Sequence, residues 1–213
     1  MMTDFLSSGP EDALATLLLA HGAGAGMESP FMVQMAALLA ERGVRTLRFE
    51  FGYMAARRND GKRKPPPRAQ LLSGEYKSAV TAARDLMPRP RRLFIGGKSM
   101  GGRVASFVAD ELFQAETISG LVCIGYPFHP PKKPDQLRTN HLVTMGCPAL
   151  IVQGVRDPFG TREEVDSYAL PATIRYHWAD DGDHDLGPRG ASGFTRKGNL
   201  AAAADAVAAF VET

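Results

Sequence analysis

Short apolar runs that close in glycine or aspartate, each followed by a helical pattern, recur along this 213-residue chain and constrain its fold more than any other feature. Ala15–Ala20 is apolar and ends in the loop His21-Gly22-Ala23-Gly24-Ala25-Gly26. Ser29-Pro30 then reads as an N-cap followed by proline at the first helical position. Phe31, Met35, Leu38, Leu39 and Arg42 follow at helical spacing, and Gly43 suits the residue just past the helix end. Val44–Phe51 alternates with the period of a strand. Tyr76, Ala79, Val80, Ala83, Leu86 and Met87 form a second helical stripe. Leu93–Gly96, Gly120–Gly125, Ala149–Gly154 and Ala172–Trp178 read as further strands, a helix follows Ser99 through about Leu112, and an Ala-rich helix over Asn199–Val211 turns Leu200, Val207 and Phe210 inward. Such β-α alternation predicts an α/β fold over residues 1–213, a mostly parallel central sheet flanked by helices on both faces. In sheets of this kind, sites collect at the carboxyl ends of the strands.

Composition removes several alternatives. Lys plus Arg number 25 against 23 Asp plus Glu, so the balance of +2 argues against a general nucleic-acid or membrane-surface binder. The longest apolar run near the start, Ala13–Ala20, is too short for a membrane helix, and the acidic residues before it do not resemble a signal peptide. Two cysteines, Cys123 and Cys147, cannot make a disulfide scaffold, and they favour a reducing, cytoplasmic setting. Gly52–Leu72 interrupts the alternation. It holds Arg57, Arg58, Lys62, Arg63, Lys64 and Arg68 around Pro65-Pro66-Pro67, and without an apolar face it is predicted to be a long surface loop.

The chemistry concentrates where strands end. Gly97-Lys98-Ser99-Met100-Gly101 lies between a predicted strand and a predicted helix, the setting of a nucleophile elbow, where glycine is needed because side chains two positions either side of the serine would collide. A serine hydroxyl attacks carbonyl carbon only when a base takes its proton and a third group orients that base. Asp157 follows the strand Ala149–Gly154 and His184 follows Ala172–Trp178, so Ser99, Asp157 and His184 occur in the order that this fold would use. Asp180, Asp181, Asp183 and Asp185 crowd His184, and each is a competing candidate for the acid. The same cluster matches no metal-ligand spacing, so no metal is expected. His129, His141 and His177 fit the base role less well by order or by element. The backbone N–H of Met100 and that of Ala23, or alternatively Gly24, are the expected oxyanion donors. GAGAG lacks the spacing of a phosphate-binding loop, and His21 is read as structural.

Taken together, the HG-rich loop, GKSMGG, VQGVRDPFG and GDHDL resemble the α/β-hydrolase superfamily over nearly the whole chain. RFEFGYM, GKSMGGR, YPFHPPKKP and QGVRDPFG resemble a small dienelactone-hydrolase-like branch related to the hydrolase-like domain of a chromatin-complex subunit and testis-expressed relatives. The resemblance implies Ser99 as nucleophile, His184 as base and Asp157 as orienting acid, with no metal or organic cofactor and a small-molecule ester or thioester as substrate. Dienelactone hydrolases use cysteine at the elbow, so their substrate does not carry over to Ser99. Only a short segment, Phe128 to Gly146, stands where many relatives insert a cap, so no lid domain is expected. Tyr126, Phe128, His129 and Phe159 are expected to shape the pocket with Gly24, while Lys98 and Arg103 are read as surface or packing residues. Acyl transfer and non-catalytic binding on the same fold are the two rival functions.

Overall fold

A computed structural model describes residues 4–61, 65–87 and 91–213. The elements run β1 (Leu6–Ser8), β2 (Ala15–Ala20), α1 (Pro30–Ala40), β3 (Arg45–Phe49), α2 (Gly52–Asp60), a 3-10 turn (Ala69–Leu72), α3 (Ser73–Asp85), β4 (Arg92–Lys98), α4 (Met100–Gln114), β5 (Gly120–Ile124), β6 (Ala149–Gly154), α5 (Arg162–Asp166), β7 (Ile174–Ala179) and α6 (Arg196–Glu212). The seven strands join one sheet in the order β1-β3-β2-β4-β5-β6-β7, parallel throughout except for the antiparallel β1.

The apolar residues explain why both faces are covered. β2, β5 and β6 are buried at every position, as strands sandwiched between helices must be. On one face, Phe31, Met32, Met35 and Leu39 of α1 pack with Leu200, Ala203, Val207 and Phe210 of α6. On the other, Tyr76, Ala79, Val80 and Ala83 of α3 pack with Val104, Ala105 and Val108 of α4. Ser29 and Pro30 open α1 as expected. It closes where Gly43 takes a φ of 75° and the Val44 N–H donates to the Leu39 carbonyl at 3.0 Å, satisfying an orphan carbonyl of the last turn.

Three expectations need correction. The segment Gly52–Leu72 is not all loop. Its first part is α2, which ends at Gly61 in the left-handed conformation, and Ala69–Leu72 is a 3-10 turn with Ala69 and Leu72 buried. Periodicity hid α2 because the helix buries little beyond Met54, whereas Arg57 donates to the Gly24 carbonyl at 3.1 Å and Arg58 pairs with Glu50 at 3.2 Å. Lys62, Arg63 and Lys64 lie outside the described residues. Leu86 is exposed rather than part of the α3 stripe, the burial passing to Met87. Finally, of the surface and packing readings of Lys98 the surface one fails, since the residue is 6% exposed. Between β5 and β6, residues 125–148 form turns and bends without a helix, so this segment places no helical cap over the carboxyl edge of the sheet.

Candidate active site

At the end of β4 the chain reverses on Ser99, whose φ of 51° and ψ of −117° lie where a side chain is strained. The reversal brings β4 and α4 so close that a Cβ on Gly101 would stand 2.5 Å from the His21 carbonyl oxygen and 2.6 Å from that of Ala20. A Cβ on Gly97 would meet the Gly101 backbone at 2.5 Å. Both glycines are therefore structural requirements of the turn that lifts the serine hydroxyl off the sheet.

Three side chains from three loops then meet. Ser99 Oγ lies 2.9 Å from His184 Nε2, and His184 Nδ1 lies 2.8 Å from Asp157 Oδ2. Asp157 is fully buried just beyond β6 and accepts two further hydrogen bonds, from the Phe159 N–H at 2.9 Å and from Gln153 Nε2 at 3.0 Å. Each contact of Asp157 is a donor, so the carboxylate acts as acceptor only and His184 carries its proton on Nδ1. That tautomer leaves the Nε2 lone pair facing the Ser99 hydroxyl.

Three of the four competing carboxylates are occupied elsewhere. Asp181 pairs with Arg156 at 2.8 Å and Arg189 at 2.6 Å, and these guanidiniums, Arg189 foremost, pull its carboxyl down to about 2. Asp183 Oδ1 accepts the N–H groups of Asp185 and Gly187 at 2.9 and 2.8 Å, closing the turn that carries His184. Asp185 pairs with Lys98 at 3.2 Å. Asp180 contributes its carbonyl to Asn199 at 2.9 Å. Among the described residues, no three His, Cys, Asp or Glu side chains group to hold a metal ion.

Two supporting residues escaped the sequence reading. Gln153, fully buried near the end of β6, spreads its amide nitrogen over Tyr126 O, Asp157 Oδ2 and Gly160 O at 3.0–3.2 Å. The signal was a polar side chain within the buried run ALIVQG. Lys98 Nζ donates to the His184 carbonyl at 2.7 Å while pairing with Asp185, so it ties the elbow to the histidine loop. Burial lowers the Lys98 pKa, opposed by Asp185. His21 is structural as expected: the Phe51 N–H donates to its Nε2 at 3.2 Å, its Nδ1–H donates to the Gly22 carbonyl at 2.6 Å, and burial holds its pKa low.

A cleft of about 490 Å³ opens in front of Ser99, floored by the Gly22–Ala25 loop and walled by Phe31, Phe159 and His184. Ala23, Gly24 and Phe159 line it, and the Phe159 ring lies 4.4 Å from that of His184. Met100 N–H opens α4 beside Ser99, in the first turn where amides lack intrahelical acceptors. Tyr126, Phe128 and His129 correct the expectation of a pocket mouth: none lines the cleft. Tyr126 and Phe128 are fully buried and His129 is 2% exposed, because the turn after β5 folds beneath the acid loop, where Tyr126 Oη donates to the Arg138 carbonyl and His129 Nε2 lies 3.4 Å from Glu164.

A sequence profile of the alpha/beta hydrolase domain matches residues 13–212. The chain belongs to that family. Its fold is similar to that of a dienelactone hydrolase from Anabaena variabilis, with a TM-score of 0.69 at 19% identity over 99% of this chain and 97% of that one. It is also similar to the Est1E protein of Butyrivibrio proteoclasticus, at 0.68 and 13% over the full length of both, and to a lidless serine hydrolase from Xanthomonas campestris, at 0.62 and 17% over 86% and 81%. At these identities the likeness establishes the shared alpha/beta hydrolase fold alone.

Proposed function

We propose that this family member is a serine hydrolase that cleaves a carboxylic ester or thioester through an acyl-enzyme. The observation that carries the reading is the continuous chain Ser99 Oγ, His184, Asp157, with links of 2.9 and 2.8 Å. Ser99 Oγ attacks the carbonyl carbon as its proton passes to His184 Nε2, and Asp157 stabilises the imidazolium that forms. The carbonyl oxygen becomes an oxyanion that accepts the N–H groups of Ala23 and Met100, the latter at the positive end of α4. Collapse of the tetrahedral adduct breaks the bond to the alcohol or thiol, which leaves with the proton from Nε2. Water, deprotonated by the same nitrogen, attacks the acyl-serine and releases the acid. Both cysteines are free and buried, which supports a reducing, cytoplasmic setting.

Fluorophosphonate labelling and a panel of p-nitrophenyl esters and acyl thioesters test this reading. Labelling and turnover are expected in the unaltered chain and absent in Ser99→Ala. Asp157→Asn leaves the fold intact and lowers kcat by about 10⁴, the scale of losing the correct histidine tautomer. A chain that neither takes the label nor turns over any ester, yet binds a specific partner, makes the protein a non-catalytic member of the fold. Transfer of the acyl group to added alcohols in preference to water makes it an acyltransferase.

A further inference from the structure

Of the two cations that line the cleft in front of Ser99, one has no ion-pair partner among the described residues. They are Lys98 and Arg196, and both lie against the Phe31 ring, Lys98 Nζ at 5.2 Å and Arg196 Cζ at 5.9 Å from the centroid. Lys98 is already committed, its ammonium shared between the His184 carbonyl and the Asp185 carboxylate. Arg196 is not. Its Nη1 donates to the neutral Gln34 Oε1 at 2.8 Å and its Cζ lies over the Phe31 ring, and among the described residues the guanidinium makes no ion pair.

Its position sharpens the point. Arg196 is the first residue of α6, Lys197 is the second, and the first turn contains no acidic side chain. A helix N-terminus bears partial positive charge and favours anions, so a cation there is repelled by its own helix. Gln34 and the Phe31 ring hold the guanidinium against the cleft despite that repulsion. A guanidinium is a planar fork of donors suited to paired oxygens of a carboxylate or phosphate. The Asp185 carboxylate, the acidic group lining the same cleft, is spoken for by Lys98.

Resting on the hydrolase reading above, we propose that Arg196 is the residue that selects the substrate, and that the ester or thioester cleaved here carries an anionic group, carboxylate or phosphate, on the part that faces the start of α6. The anion completes the coordination that Gln34 begins and neutralises the combined charge of Arg196 and the helix end. Neutral esters of the same size leave that charge unmatched and gain only apolar contact with Phe31.

Three p-nitrophenyl esters separate the possibilities: pentanoate, hemiglutarate and phosphoglycolate, compared in the unaltered chain, Arg196→Gln and Arg196→Lys. One anionic ester is expected to exceed pentanoate in kcat/KM by about tenfold or more, the scale of one charge-assisted bidentate contact, with the difference held in KM and shrinking as salt is added. The preference collapses in Arg196→Gln and is partly rescued in Arg196→Lys. Which anion gains more tells carboxylate from phosphate. A preference for pentanoate, or an anion preference that survives Arg196→Gln, overturns the proposal. Calorimetric titration of Ser99→Ala with glutarate and with inorganic phosphate, repeated after adding Arg196→Gln, reads the anion site without any catalysis. Binding that depends on Arg196 in a chain that labels with no fluorophosphonate upholds the anion site and removes the hydrolase reading. Labelling without anion preference or anion binding does the reverse.

Discussion

Lys98 stands next to Ser99 yet is bonded to the loop of His184, because its ammonium joins the His184 carbonyl to Asp185. Burial disfavours its charge and lowers its pKa from 10.5, with Asp185 opposing the shift. The consequences for stability and for activity have opposite signs. With its native pKa depressed, the folded chain binds fewer protons than the unfolded chain as pH climbs from that pKa to 10.5, so over this window the group's contribution to stability rises. Over the same window the ammonium is lost, the pair with Asp185 lapses, and the histidine loop loses its tether. Background-corrected kcat/KM is therefore expected to fall along an alkaline limb below pH 10.5, while the urea midpoint does not fall through this group. In Lys98→Arg the guanidinium stays charged, so the limb moves upward. An unmoved limb in that variant shows that Lys98 does not hold the loop. Neither this role nor that of Gln153 was legible in the sequence. A lysine in a glycine-rich turn reads as a surface or packing residue, and the contacts that enclose it come from the histidine loop, distant in sequence.

The nucleophile elbow is where sequence and structure agree most closely at the level of the element, and the cause is steric. A turn this tight admits no side chain at Gly97 or Gly101, so glycine spacing leaves a readable trace. Gly101→Ala sets a methyl against the carbonyls of Ala20 and His21, backbone atoms that cannot rotate away. The expected cost is about 1–3 kcal/mol by urea denaturation, with slower fluorophosphonate labelling as the elbow is displaced. Gly24→Ala is the control for stability: nothing lies within 4 Å of the added Cβ, and the change is expected to stay within about 0.5 kcal/mol. Equal destabilisation by the two substitutions refutes the steric account. The longer strands and α1, α3, α4 and α6 were legible for a related reason, since each presents a long apolar stripe to the sheet. β1, α2 and α5 were not. β1 and α5 span three and five residues, too few for a period to emerge, and α2 is held by arginine contacts rather than by an apolar face.

Across the whole molecule, parallel pairing delivers residues distant in sequence to one rim. β4, β6 and β7 run the same way, so Ser99, Asp157 and His184 emerge at the same edge, with β5 between β4 and β6. That convergence was legible because β-α alternation implies parallel strands, whose carboxyl ends share one edge of the sheet. The fate of Tyr126, Phe128 and His129 was not. They also follow a strand at the same edge, but their apolar rings are drawn under the acid loop into the core rather than raised as a wall. The segment 125–148 thus supports the acid from below and contributes no cover from above. Residues 125–148 place no helix over the cleft of about 490 Å³, so this segment supplies no lid to release at a lipid–water boundary. Along a series of neutral p-nitrophenyl esters, each added methylene that enters the cleft is expected to raise kcat/KM about fourfold, the equivalent of ~0.8 kcal/mol of burial, until Phe31 and Phe159 are covered. Beyond that length the series flattens, and no jump accompanies the onset of micelles. A sharp rise at the micellar concentration contradicts this, because a rate that waits for an interface requires a moving cover that residues 125–148 do not form.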